Sequence, residues 1–386
     1  MNIQEATRSY ETWLSRQTTT VPHDLRKKKE LMSEAADAFP FFRGTFYRWA
    51  QLWPEHCPEF AGAPAVRCVG DLHVENFGTW RDAEGRLVWG VNDFDEAYRL
   101  PYVFDLVRLT ASVILAARAH LVSTDPAEGC REILSGYRDS FEAGGRPFVL
   151  AEGNPELREM ALGSLKNPVD FWQKIEKEKK RKEGAKLSHT RERAERLLRR
   201  SLSAAGSQVK ILPRVSGIGS LGRPRFVAVT ERGGGKMARE AKALIPSAFV
   251  WAEGINRPPK SLYEDVVGRA VRVPDPFLEV HKRWVVRRLA PDCVRINAAD
   301  FRNGSGEPLL LNAMGWETAN IHLGTRKSRE AVRDDLKGLK DESLFAAAQR
   351  MVQVIIDDWE SFRAWASANA VKAQKDESQG AIEPPA

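Results

Sequence analysis

Between residues 24 and 53, Phe39, Phe42, Phe46, Trp49 and Trp53 recur at helical spacing and mark a stretch that packs one face on a core. A nearly unbroken apolar run over 105–119 predicts a buried helix, and 155–200 reads as further helices interrupted near Pro168 and Gly184. Past residue 205 the character changes to strands. Residues 225–230 and 284–289 are β-rich runs, and Gly233-Gly234-Gly235 is the turn that sends the chain into another strand over 236–244. A helix is expected over 262–271 and more helices over 317–370, while 371–386 is polar, ends in prolines and is expected to be disordered. A shorter hairpin is also legible, with strands over 77–80 and 87–91 around the turn composition of 81–86. The pattern predicts an α+β protein with a helical part over 1–205, a sheet part over 206–295, a helical return over 296–370 and a tail.

The hairpin joins two polar clusters. Gly70-Asp71-Leu72-His73-Val74-Glu75-Asn76 precedes it, and Asn92-Asp93-Phe94-Asp95-Glu96 follows it. Folding the hairpin would bring Asp93 back beside Asn76. Phosphoryl transfer from ATP needs a carboxylate to orient the acceptor, and amide and carboxylate oxygens to hold the Mg2+ that bridges the phosphates. Asp71 followed by Asn76, with an acidic cluster one hairpin later, supplies that set: Asp71 as the base, Asn76 and Asp93 as metal ligands, Asp95 as a second-metal or supporting residue. The bland alternative makes the first cluster an ordinary loop and the second a solvated turn. The order of loop, hairpin and cluster favours the site.

Gly217-Ile218-Gly219-Ser220-Leu221-Gly222 stands ahead of the strands over 225–230 and 236–244. Glycines let backbone N–H groups approach phosphates, and a lysine on a following strand reaches phosphate oxygens. A dinucleotide-binding turn would need a helix after the glycines, and a hairpin follows them here. Lys236 and Lys242 both stand where such a lysine is needed; Glu264 or Asp265 could orient it from the 262–271 helix, and Arg287 could contact phosphate or pair with a carboxylate.

These motifs resemble known families. Residues 70–76 are similar to the HGDLHxxN loop of aminoglycoside phosphotransferases, with Val69 where their histidine stands, and 92–97 is similar to their IDFxDA metal segment. Residues 101–106 resemble the segment that follows in those enzymes, which implies that Asp105 braces the catalytic loop. Phe41-Phe42-Arg43-Gly44, the Asp71 loop, the Asp93 segment, residues 104–112 and Asp275-Pro276-Phe277-Leu278 together resemble the bacterial domain-of-unknown-function 2252 family over roughly 25–325. That resemblance favours Lys242 over Lys236, because the family has a similar lysine shortly before Pro-Ser. It implies a kinase-like site, and with the glycine turn and lysine strand read as a nucleotide lobe the expected fold is protein-kinase-like and two-lobed. Since the Asp71 loop precedes the glycine loop, the lobes would be circularly permuted, which a site defined by spatial positions tolerates.

Length and charge bound the rest. With 386 residues, 42% of them hydrophobic, the chain can bury a large core. No apolar run is long enough to span a bilayer and the first residues lack the apolar stretch of a signal peptide, so the cytoplasm is the expected location. The net charge of +7 gathers over 174–200, where acidic residues interleave at helical spacing and aromatic residues are missing. That composition fits a solvated helix better than a nucleic-acid surface, and it could also rim a site for an anionic substrate. Cys57, Cys68, Cys130 and Cys293 form no C-x-x-C pair, which argues against zinc and disulfides. The expectation is an ATP- and Mg2+-dependent phosphotransferase with an unidentified hydroxyl acceptor. AMP transfer to protein, a nucleotide-sensing pseudokinase and a basic RNA-binding protein are the alternatives.

Overall fold

A computed structural model of the chain describes residues 1–151, 153–177, 185–202, 208–296 and 306–379. The protein is α+β: helices surround three small sheets, all of whose pairings are antiparallel. In chain order the strands are β1 (Ala65–Cys68), β2 (Phe77–Arg81), β3 (Leu87–Val91), β4 (Tyr98–Pro101), β5 (Phe148–Val149), β6 (Lys210–Pro213), β7 (Arg225–Arg232), β8 (Gly235–Ala243), β9 (Glu279–His281) and β10 (Trp284–Leu289). β1 pairs with β4, β3 lies between β2 and β5, and the largest sheet runs β6-β7-β8-β10-β9.

The helical body is built on Val103–Arg118, which is largely apolar, carries Asp105 and Arg108 as buried charges and is buried from Val103 to Ala116. It packs against Pro126–Ala143 and the long Asp341–Gln379. Pro126–Ala143 and Glu307–His322 cross at backbone distance: a Cβ on Gly136 would lie 1.9 Å from the Asn312 carbonyl oxygen, and one on Gly315 would lie 1.9 Å from that of Ile133. Only glycine permits so close a crossing.

Residues 24–53 are three helices rather than one stretch: Pro22–Ser33, Phe39–Gly44 and Phe46–His56. Pro40 stands in the first turn of the second helix, and Thr45, at φ −118° and ψ 38°, separates the second from the third. The five aromatic residues are nonetheless all buried. An N-terminal helix, Ile3–Gln17, went unexpected although Asn2 and Glu5 form a capping box at its start. The last helix runs to Gln379, into the segment expected to be a tail, and 380–386 lie outside the described residues.

The large sheet divides its faces by the period of two. Phe226, Ala228, Ala241 and Val286 pack on Ala194 and Leu198 of Ala185–Ser201. The basic segment is therefore amphipathic, with one face in a core, though 178–184 lie outside the described residues. On the opposite face Val227 and Val229 meet Phe171 and Ile175 of Pro168–Glu176, and beside them stand Arg225, Glu240, Lys242 and Arg287. β7 and β8 join through Gly233 and Gly234, at φ +58° and +76°, a type I′ turn that suits the strand twist. Among the described residues no helix is long and apolar enough to cross a membrane.

Candidate functional site

The loop from Gly70 to Asn76 is held from below. Asp105, fully buried, accepts hydrogen bonds from the backbone N–H of Val69 (2.6 Å) and Gly70 (3.0 Å), and its Oδ2 lies 3.0 Å from His322 Nε2. His322 Nδ1 in turn lies 2.8 Å from the Tyr137 hydroxyl. Cys68, Asp105 and His322 are close enough to hold a metal, but the oxygens of Asp105 already serve the loop, so this cluster reads as a brace. Gly70 has φ +84°, and a Cβ there would lie 2.2 Å from the Glu96 carbonyl oxygen, so the loop closes on the second cluster only with glycine.

The β2–β3 hairpin returns the chain as its composition predicts. Asn76 Nδ2 donates to the carbonyl oxygens of Asp71 and Asp93, each at 3.1 Å, and Asn92 N donates to the Asn76 carbonyl at 2.9 Å. One amide thus ties the two clusters together. With Nδ2 and the backbone carbonyl committed, the side-chain oxygen Oδ1 of Asn76 is the atom left for a cation.

Asp71 Oδ1 accepts from Nε (3.1 Å) and Nη2 of Arg108. Arg108 is fully buried beneath it, its guanidinium 4.0 Å from the ring centroid of Phe42 and 4.8 Å from those of Phe46 and Trp49. The Asp71 side chain keeps 22% of its surface exposed, so it remains reachable. Burial pushes its carboxyl up, and Arg108 opposes that shift. Sequence reasoning missed Arg108, although a lone arginine inside an otherwise apolar helix was a signal: such a charge needs a partner.

The glycine loop lies above Asp71. A Cβ on Gly219 would sit 3.6 Å from Asp71 Oδ2 and 3.1 Å from the Arg43 carbonyl oxygen. Gly217, at φ +73°, lines the same cavity. Gly222 does not: at φ +94° it packs on Leu25, where a Cβ would come within 2.2 Å.

Lys242 is buried and does not line the cavity itself, but its Nζ lies 2.6 Å from Asp93 Oδ2 and 2.6 Å from Asp95 Oδ2, which do. Lys236 instead pairs with Glu176 at the partly exposed start of β8. The acidic partner expected from the 262–271 helix is absent. That helix, Tyr263–Arg269, turns Tyr263 and Val266 inward, so Glu264 faces out to Lys260 and Asp265 pairs with Arg67 and Arg269. Glu240, two residues before Lys242 on the same face of β8, is fully buried and pairs with Arg214 (2.7 Å), Arg225 (3.3 Å) and Arg287 (2.9 Å). Of the two roles left open for Arg287, pairing with a carboxylate is the one seen.

The two aspartates differ in surroundings. Asp93 keeps 38% of its side chain open; burial opposes its charge, but Lys242 and Arg287 more than offset this and hold the carboxyl well below the usual range. Asp95 is 7% exposed, and burial, reinforced by the charge of Asp93, pushes it up to about 6 despite Lys242 and Arg223. Its Oδ2 also meets Arg223 at 3.2 Å, whereas Oδ1 is buried with no hydrogen-bond partner among the described residues. A buried oxygen without a partner is costly, and a hard cation is one group that would satisfy it.

Part of this set lines one cavity of about 730 Å³, in the range of cavities that take cofactor-sized ligands. Asp71, Asn76, Asp93, Asp95, Gly217, Gly219 and Arg287 all contribute to its wall.

Residues 20–197 match the model of a family described as an uncharacterized protein conserved in bacteria (DUF2252). The match takes in the Asp71 loop, the hairpin and the Asp93 segment, and it stops short of the glycine loop and Lys242. No curated protein and no solved structure matches the chain.

Proposed function

We propose that the protein is an ATP- and Mg2+-dependent phosphotransferase that moves the γ-phosphoryl group to a hydroxyl acceptor. The observation that carries this reading is the convergence on one cavity of Asp71, the glycine loop above it and the pair Asp93 and Asp95, with Lys242 bonded to both aspartates. Further support is the sheet: the glycine loop joins its first two strands, Lys242 stands on the third, and two short helices, Ala248–Ala252 and Tyr263–Arg269, separate the third from the fourth. Kinase nucleotide lobes carry their glycine loop and lysine in that relation. On this reading β6 to β10 form the nucleotide lobe, the helical body is the other lobe, and their order in the chain is permuted.

The residues fit Mg2+, which prefers oxygen ligands. Asp93, Asp95 and Asn76 Oδ1 would hold it, and the unpartnered Asp95 Oδ1 is the strongest single argument. Held there, it would supply positive charge to offset that of the phosphates. Lys242, now the counter-charge of both aspartates, would turn to the phosphates. Asp71, with Oδ1 held by Arg108, presents Oδ2 to the space under Gly219, where it orients an acceptor hydroxyl and takes its proton.

The test is parallel incubation with γ-labelled and α-labelled ATP in cell extract. Label transferred from the γ position alone is the expected result. Label retained from the α position would replace this reading with AMP transfer, and no transfer from either would reject catalysis by this site.

A further inference from the structure

The wall beside Asp71 carries two guanidinium groups that share one carboxylate. Arg43 Nη1 pairs with Glu75 Oε2, and Arg295 Nη1 lies 3.3 Å from the same oxygen. Arg43 Nε is buried without a hydrogen-bond partner among the described residues. Elsewhere in the cavity Arg214, Arg225 and Arg287 share the fully buried Glu240, and Arg223 is paired with both Asp95 and Glu96. Eleven lysines and arginines line the cavity against seven acidic residues, so the imbalance at Glu75 is not cancelled by the rest of the lining. Glu75 and Asp71 belong to one loop, and Arg43 contributes the carbonyl that abuts Gly219, so the spare positive charge lies beside the carboxylate that would receive an acceptor. Paired guanidinium groups favour planar or tetrahedral oxyanions, which they can grip through several N–H donors at once.

We propose that Arg43 and Arg295 form a subsite for an anionic group on the acceptor, so that the hydroxyl compound presented to Asp71 carries a phosphate or a carboxylate. The word acceptor rests on the phosphotransfer reading; the anion subsite does not. Calorimetric titration of the full chain with glycerol 3-phosphate, glycerate and glycerol, and separately with MgATP, tests both. An anionic probe should bind the wild type, with glycerol at least about tenfold weaker, and Arg43→Gln or Arg295→Gln should each cost about tenfold, the scale of one lost charge contact. Glu75→Gln should instead tighten the anionic probe several-fold, a gain that a misfolded variant cannot produce. MgATP affinity should stay within about twofold in the arginine variants, because their contacts are not with the donor. Which of glycerol 3-phosphate and glycerate binds more tightly identifies the anion. The proposal is overturned if no anionic probe binds, if glycerol binds equally well, if the three variants leave probe affinity unchanged, or if MgATP weakens in step with the probe. A wild type that binds the probe and not MgATP keeps the subsite and rejects the phosphotransfer reading.

Discussion

Asp71 has two jobs that substitution can separate. It orients the acceptor, and it is the counter-charge of Arg108, a guanidinium buried among Phe42, Phe46 and Trp49. Asp71→Ala therefore does more than remove a base. It leaves a fully buried cation unpaired, a change that costs about 3–5 kcal/mol. At about 2.1 cal/mol/K per residue, unfolding 386 residues carries an entropy near 0.8 kcal/mol/K, so Tm should fall by about 4–6 °C. Asp71→Ala/Arg108→Met removes the stranded charge and fills the aromatic pocket with a flexible apolar chain, so most of that loss should return. Turnover should not: both variants should release phosphate from γ-labelled ATP orders of magnitude more slowly than the wild type. The assay pairs differential scanning calorimetry with ATP turnover on the same preparations of wild type, both single variants and the double variant. Equal Tm values for Asp71→Ala and the double variant would refute the buried-pair argument. Wild-type turnover in Asp71→Ala would refute the base.

Three further outcomes are expected. Asp105→Ala strips the acceptor from two backbone donors and takes the partner from His322 Nε2, each unsatisfied group costing about 1–3 kcal/mol, so its Tm should fall at least as far as that of Asp71→Ala, which calorimetry would show. Because the carboxyl of Asp95 is pushed up to about 6, folding gains a contribution from its proton at low pH that fades as pH rises through that value; a cation competes with the same proton, so Mg2+-dependent ATP binding should strengthen over that rise and Asp95→Asn should flatten the profile. Lys242→Met removes the ammonium between Asp93 and Asp95, so titration should find tighter Mg2+ binding without nucleotide and weaker MgATP binding; unchanged values for both would deny Lys242 its role.

Local chemistry was legible in the chain itself. The hairpin over 77–91, the glycine turn at Gly233, the strand Trp284–Leu289 and the buried helix at Asp105 are determined by periodicity and turn residues acting over a few positions, and the structure has all four. The Asp71–Asn76 loop and the Asp93 segment were readable for the same reason: a short hairpin sets their separation. What no local rule contains is the partner across a long sequence gap. That Asp71 leans on Arg108, that Glu240 gathers three arginines, that Arg43 and Arg295 meet at Glu75, and that Lys242 finds Asp93 and Asp95 rather than a helix glutamate are outcomes of how the helices, loops and strands pack on one another. Sequence sets which residues can carry charge into a core, because burial of an unpaired charge is costly everywhere. Tertiary structure chooses which opposite charge relieves each one, since that depends on distances of a few ångströms between segments that composition and spacing leave unrelated.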